Sequence, residues 1–349
     1  MKAITVEPSK PDSARLRDVP EPDARNGSML VEAIAVGVCG TDLEIVQGNY
    51  GWAPCGESHL ILGHESLGRV LDPGPSGAFK AGDLAVGIVR RPDPVPCPNC
   101  AAGEWDMCRN GRYTERGIKE IHGFMSERWR IEPEYAMKID DSLGLLGVLL
   151  EPTTVVTKAW EQIMAVGNRA FWEPWIVLVT GAGPIGLLAA LLGKQHGLEV
   201  HVLDRAQSGP KPDLVRSLGA GYHTGSVREL SFEPDIIIEC TGDGEVVSDS
   251  ICQVKAGGVV GLTGVGGGEQ IDGLFGGDLA TEVVLGNKVI VGCVNANKRH
   301  WYKASQALAR ADRSWLSRLV TRREEPENFS RALEKESTDV KVVVQFSDI

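Results

Sequence analysis

The sequence predicts a two-domain α/β protein, in which a β-rich part precedes a doubly wound parallel sheet. The chain has 349 residues, more than a single hydrophobic core usually organises. In the first 150 residues, short β-like runs such as Met29 to Ala35 and Ala85 to Val89 are separated by Gly, Pro and Asp. Strand and helix patterns alternate after Trp175, which is typical of βαβ units.

Composition narrows the class of protein. The residues are 42% hydrophobic and 24% charged, as in ordinary globular proteins. A net charge of -11 disfavours binding to nucleic acid or to anionic membranes.

The N-terminus reads as a strand without a charged leader, and no apolar run approaches the ~20 residues that span a bilayer. With eight cysteines, some at metal-ligand spacing, we expect reduced thiols in a cytoplasmic protein that acts on small molecules.

The predicted elements set the domain boundaries. Apolar periodicity predicts a connecting helix over residues 153–166. Buried strands are predicted at Ile176–Thr180, Glu199–Leu203, Ile236–Glu239, Val259–Thr263 and Val289–Cys293, with a helix at Ile185–Gln195. The tail, with a helix at 302–309 and a strand at 340–346, is expected to pack on the first domain. The predicted domains are therefore residues 1–158, completed by 296–349, and residues 159–295.

A glycine-rich turn follows the first strand of the second domain. In Gly181-x-Gly183-x-x-Gly186 the first glycine permits the turn, the second admits a pyrophosphate close to the backbone, and the third lets helix and strand pack. The helix N-terminus presents its positive end to the phosphates. Asp204 ends the next strand, where its carboxylate accepts both hydroxyls of an adenosine ribose and repels a 2′-phosphate.

The residue after Asp204 bears on the choice of dinucleotide. Arg205 carries a guanidinium that can stack on adenine or reach a phosphate. We therefore predict NAD as the preferred cofactor and leave the use of NADP open. The other glycines, Gly264 and Gly266–Gly268, are interpreted as the end of a strand rather than a second nucleotide motif.

Cys39 and His64 in the first domain predict a catalytic metal. Taken alone, a buried Cys is usually a small apolar side chain, and a lone His usually completes a hydrogen-bond network. A catalytic Zn²⁺, however, needs few protein ligands and one position open for a substrate oxygen. Cys39 and His64 suit that requirement, and their sequence surroundings favour the metal.

Those surroundings, Gly37-x-Cys39-Gly40-Thr41-Asp42 followed by Gly63-His64-Glu65, resemble the zinc-dependent medium-chain dehydrogenase/reductase superfamily. The resemblance implies a GroES-like catalytic domain and a Rossmann dinucleotide-binding domain. It implies that Cys39 and His64 hold the catalytic zinc, and that Glu65 and Glu151 bind it directly or in exchange with water. An alternative is that Glu151 caps the helix that follows it.

The same resemblance implies further roles. Thr41 stands where the superfamily places a hydroxyl that begins removal of the substrate proton, although the hydroxyl can instead stabilise the local turn. Glu44 occupies a position where many members have a relay histidine, so later steps of a proton path are not assigned. The implied cofactor contacts are Gly181, Gly183, Pro184, Ile185, Gly186, Asp204, Arg205, Thr263, Val294 and Asn295.

A cysteine cluster matches most of a second zinc pattern. Cys97-x2-Cys100-x7-Cys108 corresponds to the last three positions of the superfamily's structural-zinc motif, and Pro94 stands at the first. Structural zinc takes four donors in a tetrahedron. We predict that Asp93 supplies the missing oxygen ligand, and the alternative is an impaired or empty site.

Within the superfamily, the sequence is most similar to the glucose 1-dehydrogenase branch, over essentially the whole chain. The stretches that carry the similarity are Gly63–Glu65 with Val89–Pro92, Arg112–Ile118 with His122–Met125, Glu151-Pro152, and Asn287–Asn295. The resemblance implies that Glu115 and Asn295 bind sugar hydroxyls, and the predicted substrate contacts are Thr41, Arg90, Glu115, Glu151 and Asn295. A surface charge in a polar loop is the alternative for Glu115.

Two departures from that branch leave the sugar open. Leu285 replaces a sugar-contacting histidine, and Arg90 stands near a position where some members have asparagine. We predict oxidation of C1 of an aldopyranose to the lactone by a homodimer or homotetramer. The alternatives are oxidation of a secondary hydroxyl of a polyol or aminocyclitol, and a non-catalytic sensor that binds NADH and zinc.

Overall fold

The two predicted parts of the chain fold as separate units in the computed structural model, which describes residues 1–265 and 277–349. The first unit comprises Met1–Glu151 and Val320–Ile349, and the second comprises Pro152–Leu319. Gly266–Gly268, predicted as a strand end, lie outside the described residues. Of the helices in the described ranges, none combines the length and the apolar character that crossing a bilayer requires.

The first unit is rich in short strands. Its strands are Lys2–Val6 (β1), Arg15–Asp18 (β2), Met29–Val38 (β3), Leu60–Ile61 (β4), Glu65–Asp72 (β5), Leu84–Gly87 (β6), Arg90–Arg91 (β7), Thr114–Arg116 (β8), Glu120–Ile121 (β9), Arg128–Ile131 (β10), Ala136–Lys138 (β11), Val320–Glu324 (β18) and Lys341–Gln345 (β19). Its α-helices are Gly40–Val46 (α1), Pro98–Ala101 (α2) and Phe329–Ala332 (α10).

The main sheet of this unit has the strand order β11-β6-β5-β3-β19-β18, with β10 also paired to β3. The C-terminal strand β19 pairs antiparallel with β3, with Val342 opposite Val38. Because β3 also pairs with β5, the end of β3 lies between the starts of β5 and β19. This arrangement brings residues far apart in sequence to one place.

The second unit is a parallel sheet covered by helices. Its elements are the helix Leu150–Gly167 (α3), which begins two residues before the unit, Ile176–Thr180 (β12), Pro184–Gln195 (α4), Glu199–Leu203 (β13), Pro210–Ser217 (α5), Gly221–His223 (β14), Ile236–Glu239 (β15), Gly244–Gln253 (α6), Val259–Leu262 (β16), Gly277–Leu285 (α7), Val289–Gly292 (β17), Lys298–Arg310 (α8) and Arg313–Ser317 (α9).

The strand order β14-β13-β12-β15-β16-β17 is parallel throughout, which confirms the doubly wound Rossmann sheet. Strands buried on both faces read as continuous apolar runs, and this is why Ile176–Thr180 and Ile236–Glu239 were recognisable from sequence. The order reverses between β12 and β15. Ligands of such sheets bind in the crevice beyond the carboxyl ends of the strands at that reversal.

The boundary between the units differs from the predicted one. Residues 152–158 and 296–319, predicted to belong to the first domain, lie in the second unit. The helices of the tail pack there: Gln195 Nε2 donates to the carbonyl of Ala307 at 2.9 Å, and Trp315 Nε1 donates to the carbonyl of Leu214 at 2.9 Å. Only the chain from Val320 onward returns to the first unit.

Candidate active site

Cys39, His64 and Glu65 meet where β3 ends and β5 begins. Glu65 is the first residue of β5 and lies opposite Gly37 of β3, and Cys39 immediately precedes α1. One ligand atom of each of the three side chains lies within 4.8 Å of the others. His64 and Glu65 are buried. The structure thus brings together three of the four residues predicted for the catalytic metal.

Asp42, to which the sequence analysis assigned no role, contacts both Cys39 and His64. It occupies the first turn of α1, and its Oδ2 accepts a hydrogen bond from the Cys39 amide at 2.9 Å. Its Oδ1 lies 3.5 Å from Nδ1 of His64, and both side chains are buried. Burial alone lowers the pKa of His64, but the Asp42 carboxylate and the Cys39 sulfur outweigh it, so the pKa lies well above its usual value.

This arrangement fits a metal. A histidine ligand usually pairs its second ring nitrogen with a carboxylate, which fixes the ring and makes it a better ligand. Asp42 stands in that position relative to His64. Within the described residues, Asp42 Oδ1 and His64 Nδ1 are buried without a hydrogen bond in conventional geometry. Thiolate, imidazole and carboxylate are the donor types that zinc binds.

Lys341 is a second residue that sequence reasoning missed. Its Nζ lies 2.7 and 2.5 Å from the two carboxylate oxygens of Glu65 and also donates to the carbonyl of Val38 at 3.1 Å. Both charged side chains are 2% exposed. A Cβ on Gly37 would lie 2.0 Å from Glu65 Oε2, so only glycine leaves room for the carboxylate there. The ammonium group therefore holds Glu65 beside Cys39 and His64.

Glu151 lies near this group but is not part of it. It is buried in the first turn of α3, one residue after the helix begins, so it does not act as the N-cap. Burial raises its pKa to about 7, and the charges of His64, Glu65, Lys341 and Asp42 also act on it. A carboxyl group poised in this way can exist in either protonation state near neutral pH.

Thr41 is placed beside the sulfur of Cys39. Its hydroxyl lies 4.0 Å from Cys39 Sγ, and its side chain is half-buried. The position is compatible with the predicted hydroxyl role. Glu44, one helical turn on, accepts a hydrogen bond from Asn49 Nδ2 at 3.1 Å.

The predicted substrate residues Arg90 and Glu115 form a buried ion pair. They lie opposite each other on β7 and β8, and Glu115 Oε1 is 3.0 Å from Arg90 Nε and 2.9 Å from Arg90 Nη2. The guanidinium also stacks on Tyr113, with 3.7 Å between its central carbon and the ring centroid. Glu115 is 5% exposed, so it is not the surface charge considered as an alternative. Sequence spacing alone did not indicate this pairing.

The segment from Asp93 to Asn110, which we call the lobe, carries three cysteines that lie together, whereas the carboxylate of Asp93 lies apart from them. The Sγ atoms of Cys97, Cys100 and Cys108 lie within 4.8 Å of one another, and the carboxylate of Asp93 falls outside that group. A hydrogen bond from the amide of Arg109 lowers the pKa of Cys97, whereas burial raises the pKa of Cys100. The expected fourth ligand is therefore not in place.

The glycine turn has the predicted geometry. Gly181 adopts a φ of +88°, in the left-handed region, and its amide donates to the carbonyl of Leu203 on β13 at 2.7 Å. A Cβ on Gly186 would lie 1.8 Å from the carbonyl oxygen of Gly181. Nothing lies within 4 Å of the corresponding position on Gly183, which precedes Pro184 and Ile185 at the start of α4. The third glycine thus serves packing, and the second leaves open space.

The carboxylate of Asp204 joins the glycine turn to the residues that follow β13. Its Oδ2 accepts a hydrogen bond from the Ala182 amide at 2.7 Å, and its Oδ1 accepts one from the Ala206 amide at 2.9 Å. Lys211 of α5, which the sequence analysis did not assign, places its Nζ 3.9 Å from Oδ1. Arg205 is exposed. The ammonium group of Lys211 thus lies beside the carboxylate that is predicted to select NAD.

Three further predicted contacts follow strands of the same sheet. Thr263 donates its hydroxyl to the carbonyl of Glu239 at 2.9 Å, which ties the end of β16 to β15. Val294 is exposed, and its carbonyl accepts a hydrogen bond from the buried Lys158 at 2.9 Å. Asn295 adopts a left-handed φ of +58°. These residues follow the carboxyl ends of β16 and β17, where a dinucleotide binds in this type of sheet.

Known proteins resemble the chain over its full length. The family described as alcohol dehydrogenase GroES-like domain matches residues 25–141, and that described as glucose dehydrogenase C-terminus matches residues 144–346. A glucose 1-dehydrogenase of Methanocella arvoryzae is 38% identical, covering 99% of both chains, and glucose 1-dehydrogenase 2 of Vulcanisaeta moutnovskia is 39% identical over 99% of both. The solved glucose dehydrogenase of Haloferax mediterranei, in complex with NADP, Zn and gluconolactone, is 32% identical over all of both chains, with a TM-score of 0.92.

Replacing Lys341 by methionine should destabilise the first unit. The change keeps the volume but leaves the Glu65 carboxylate buried without its cation, and losing one partner of a buried pair typically costs ~3–5 kcal/mol. The free energy of unfolding, measured by denaturant titration of chelated protein, should fall accordingly. Lys341→Met combined with Glu65→Gln should recover part of the loss.

The matched control is Lys2→Met. Lys2 pairs with Glu327 at 2.6 Å, but both side chains are about half exposed, so little change in unfolding is expected. Equal, small effects of Lys2→Met and Lys341→Met would show that the buried pair does not stabilise the site.

Proposed function

Because the chain belongs to the glucose 1-dehydrogenase branch of the zinc-dependent medium-chain dehydrogenases, we propose that it transfers hydride from C1 of an aldopyranose to NAD or NADP and forms the lactone. The observation that carries this proposal is the group formed by half-buried Cys39 and buried His64 and Glu65. It supplies zinc ligands in the unit that matches the GroES-like family, while the other unit carries the dinucleotide turn.

Zn²⁺, when bound, supplies a Lewis acid that makes a hydroxyl group more acidic. Cys39 and His64 would hold the ion, with Asp42 orienting the His64 ring. Glu65 and Glu151 are the carboxylates that would bind the ion, either directly or in exchange with water. Thr41 begins removal of the substrate proton, a role supported by its position beside Cys39.

The dinucleotide is assigned to the second unit. Gly181, Gly183 and Gly186 shape the turn for a pyrophosphate, and Asp204 accepts the ribose hydroxyls. We infer that NAD is preferred because Asp204 is anionic and fixed by two backbone amides. Arg205 and Lys211 supply positive charge that would admit a 2′-phosphate, so NADP is the second cofactor.

Glu115 and Asn295 are proposed to bind sugar hydroxyls. Arg90 fixes the Glu115 carboxylate in one orientation, and a fixed acceptor discriminates between hydroxyl arrangements better than a mobile one. A buried polar group left unpaired by the wrong sugar costs free energy. We infer that the Arg90–Glu115 pair helps to select the sugar, which need not be glucose.

We also propose a homodimer or homotetramer acting in the cytoplasm. Among the described strands β17 is at the edge of the parallel sheet and is half-buried along most of its length, and an exposed strand edge favours association with another chain. Gel filtration coupled to light scattering tests this assembly directly. A monomer at working concentrations would contradict it.

The function is tested with metal-replete protein, NAD and a panel of aldoses and polyols. We expect NADH to form from an aldose, turnover to stop on chelation, and zinc to restore it. His64→Ala should lower turnover by more than the ~10–100-fold that the loss of an outer-shell partner costs, because a metal ligand is lost. NADH binding, followed by fluorescence, should change little because the dinucleotide residues belong to the other unit.

The control is His196→Ala, since His196, at the end of α4, belongs to none of the groups of described residues that could hold a metal ion and should keep full turnover. Full activity of His64→Ala would refute the metal assignment. A ketone product from a polyol would favour the polyol dehydrogenase instead. NADH binding without turnover of any compound would favour the sensor.

Asp204→Asn should shift the cofactor preference toward NADP. Asparagine keeps an oxygen acceptor for the backbone amides but removes the charge that repels a 2′-phosphate. Loss of charged hydrogen bonds to the ribose, each worth ~1.5–3 kcal/mol, should reduce kcat/KM for NAD by ~10-fold or more. The ratio of kcat/KM for NADP over NAD is measured. An unchanged ratio would exclude Asp204 from cofactor selection.

A further inference from the structure

The lobe cysteines form three corners of a metal site, and among the described residues no fourth Cys, His, Asp or Glu ligand joins them. Sγ of Cys97 lies 3.6 Å from Sγ of Cys100, and Cys108 completes the group within 4.8 Å. Two Zn–S bonds of ~2.3 Å at a tetrahedral angle place the sulfurs ~3.8 Å apart. The three sulfurs are thus spaced for one cation, while Pro94 stands where the fourth donor of a closed structural site would be.

Asp93 is the nearest candidate in sequence for the missing fourth ligand, but both of its carboxylate oxygens already accept hydrogen bonds from other residues. Its Oδ1 accepts a hydrogen bond from the Val95 amide at 2.8 Å, and its Oδ2 accepts one from Asn110 Nδ2 at 2.8 Å. Nε of Arg112 lies 3.6 Å from the same Oδ2. The Asp93 side chain is 2% exposed. Turning it toward the sulfurs would break both hydrogen bonds inside a buried environment.

These contacts close the lobe without a metal bond. Asp93 and Val95 stand at its start, and Asn110, whose Nδ2 also lies 3.2 Å from the Val95 carbonyl, stands at its end. Across the middle, Asn99 Nδ2 donates to the carbonyl of Met107 at 2.7 Å. A tetrahedral zinc normally joins the ends of such a segment, and here a polar cross-link does so.

We propose that the Asp93–Asn110 cross-link replaces the fourth ligand in closing the lobe, and that Cys97, Cys100 and Cys108 form an open three-thiolate site. The site takes a soft divalent cation such as Zn²⁺ or Cd²⁺. Its fourth position is filled by a small external ligand, water or a low-molecular-weight thiol. The lobe accordingly holds its fold without the cation. This inference does not depend on the proposed sugar oxidation.

We test whether the site is open by adding Co²⁺ to the full-length chain carrying Cys39→Ser and His64→Ala. These substitutions remove the only sulfur ligand and the histidine of the Cys39–His64–Glu65 group, and the Glu57–His59–His122 group has no sulfur. Circular dichroism checks that this variant is folded. We expect sulfur-to-cobalt charge-transfer absorption, and a change in the visible bands when 2-mercaptoethanol is added. Bands that stay unchanged at saturating thiol would show a closed site and overturn the proposal.

The role of Asp93 is tested separately in the otherwise unaltered chain. Asp93→Ala should lower the lobe's zinc affinity, measured by chelator competition, by no more than the ~10–100-fold that the loss of an outer-shell partner costs. A loss well beyond the 10–100-fold typical of an outer-shell partner would identify Asp93 as a ligand and overturn the proposal.

The cross-link is tested by limited proteolysis of metal-free protein under reducing conditions. The unaltered lobe should resist cleavage between residues 93 and 112, and Asn110→Ala should increase cleavage several-fold. Equally fast cleavage of the unaltered protein and the Asn110→Ala variant would show that the cross-link does not keep the lobe folded. A Cys97–Cys100 disulfide in protein purified with reductant, detected as two missing thiols, would also contradict the proposed site.

Discussion

The buried ion pair between Glu65 and Lys341 is the interaction on which the candidate metal site depends. A carboxylate taken out of water needs a cation or several hydrogen bonds, and Lys341 supplies a contact to each of its oxygens. The lysine begins the last strand of the chain, which pairs with β3. The C-terminal strand therefore completes both the main sheet and the charge balance beside Cys39 and His64.

Much of the fold was predictable because its signals are local. The parallel strands of the second unit are continuous apolar runs, and five of them match the predicted ranges to within a residue, with Ile176–Thr180 as an example. The glycine turn was predictable because the backbone geometry of one short segment requires a residue without a side chain at each of its glycines. Cys39 and His64 were recognisable because their flanking residues resemble a known superfamily.

The rest depends on contacts between distant parts of the chain. In the sequence, Lys341 is an ordinary polar residue at the start of a strand. Its role follows only from the sheet, which places it beside Glu65, 276 residues away. The engagement of Asp93 by Asn110 cannot be inferred from spacing, because an aspartate before a cysteine cluster suits a ligand equally well. The helices before Val320 pack on the second unit and not on the first, and an amphipathic pattern does not specify which unit a helix covers.

The most direct test of the account is the fate of a deuterium atom placed on C1 of an oxidised aldose. Incubation with NAD and zinc-replete protein should move that deuterium to C4 of the nicotinamide, and the sugar should leave as the lactone. The label is followed by mass spectrometry of the NADH. Unlabelled NADH from C1-deuterated sugar, with a ketone as product, would contradict hydride transfer from C1.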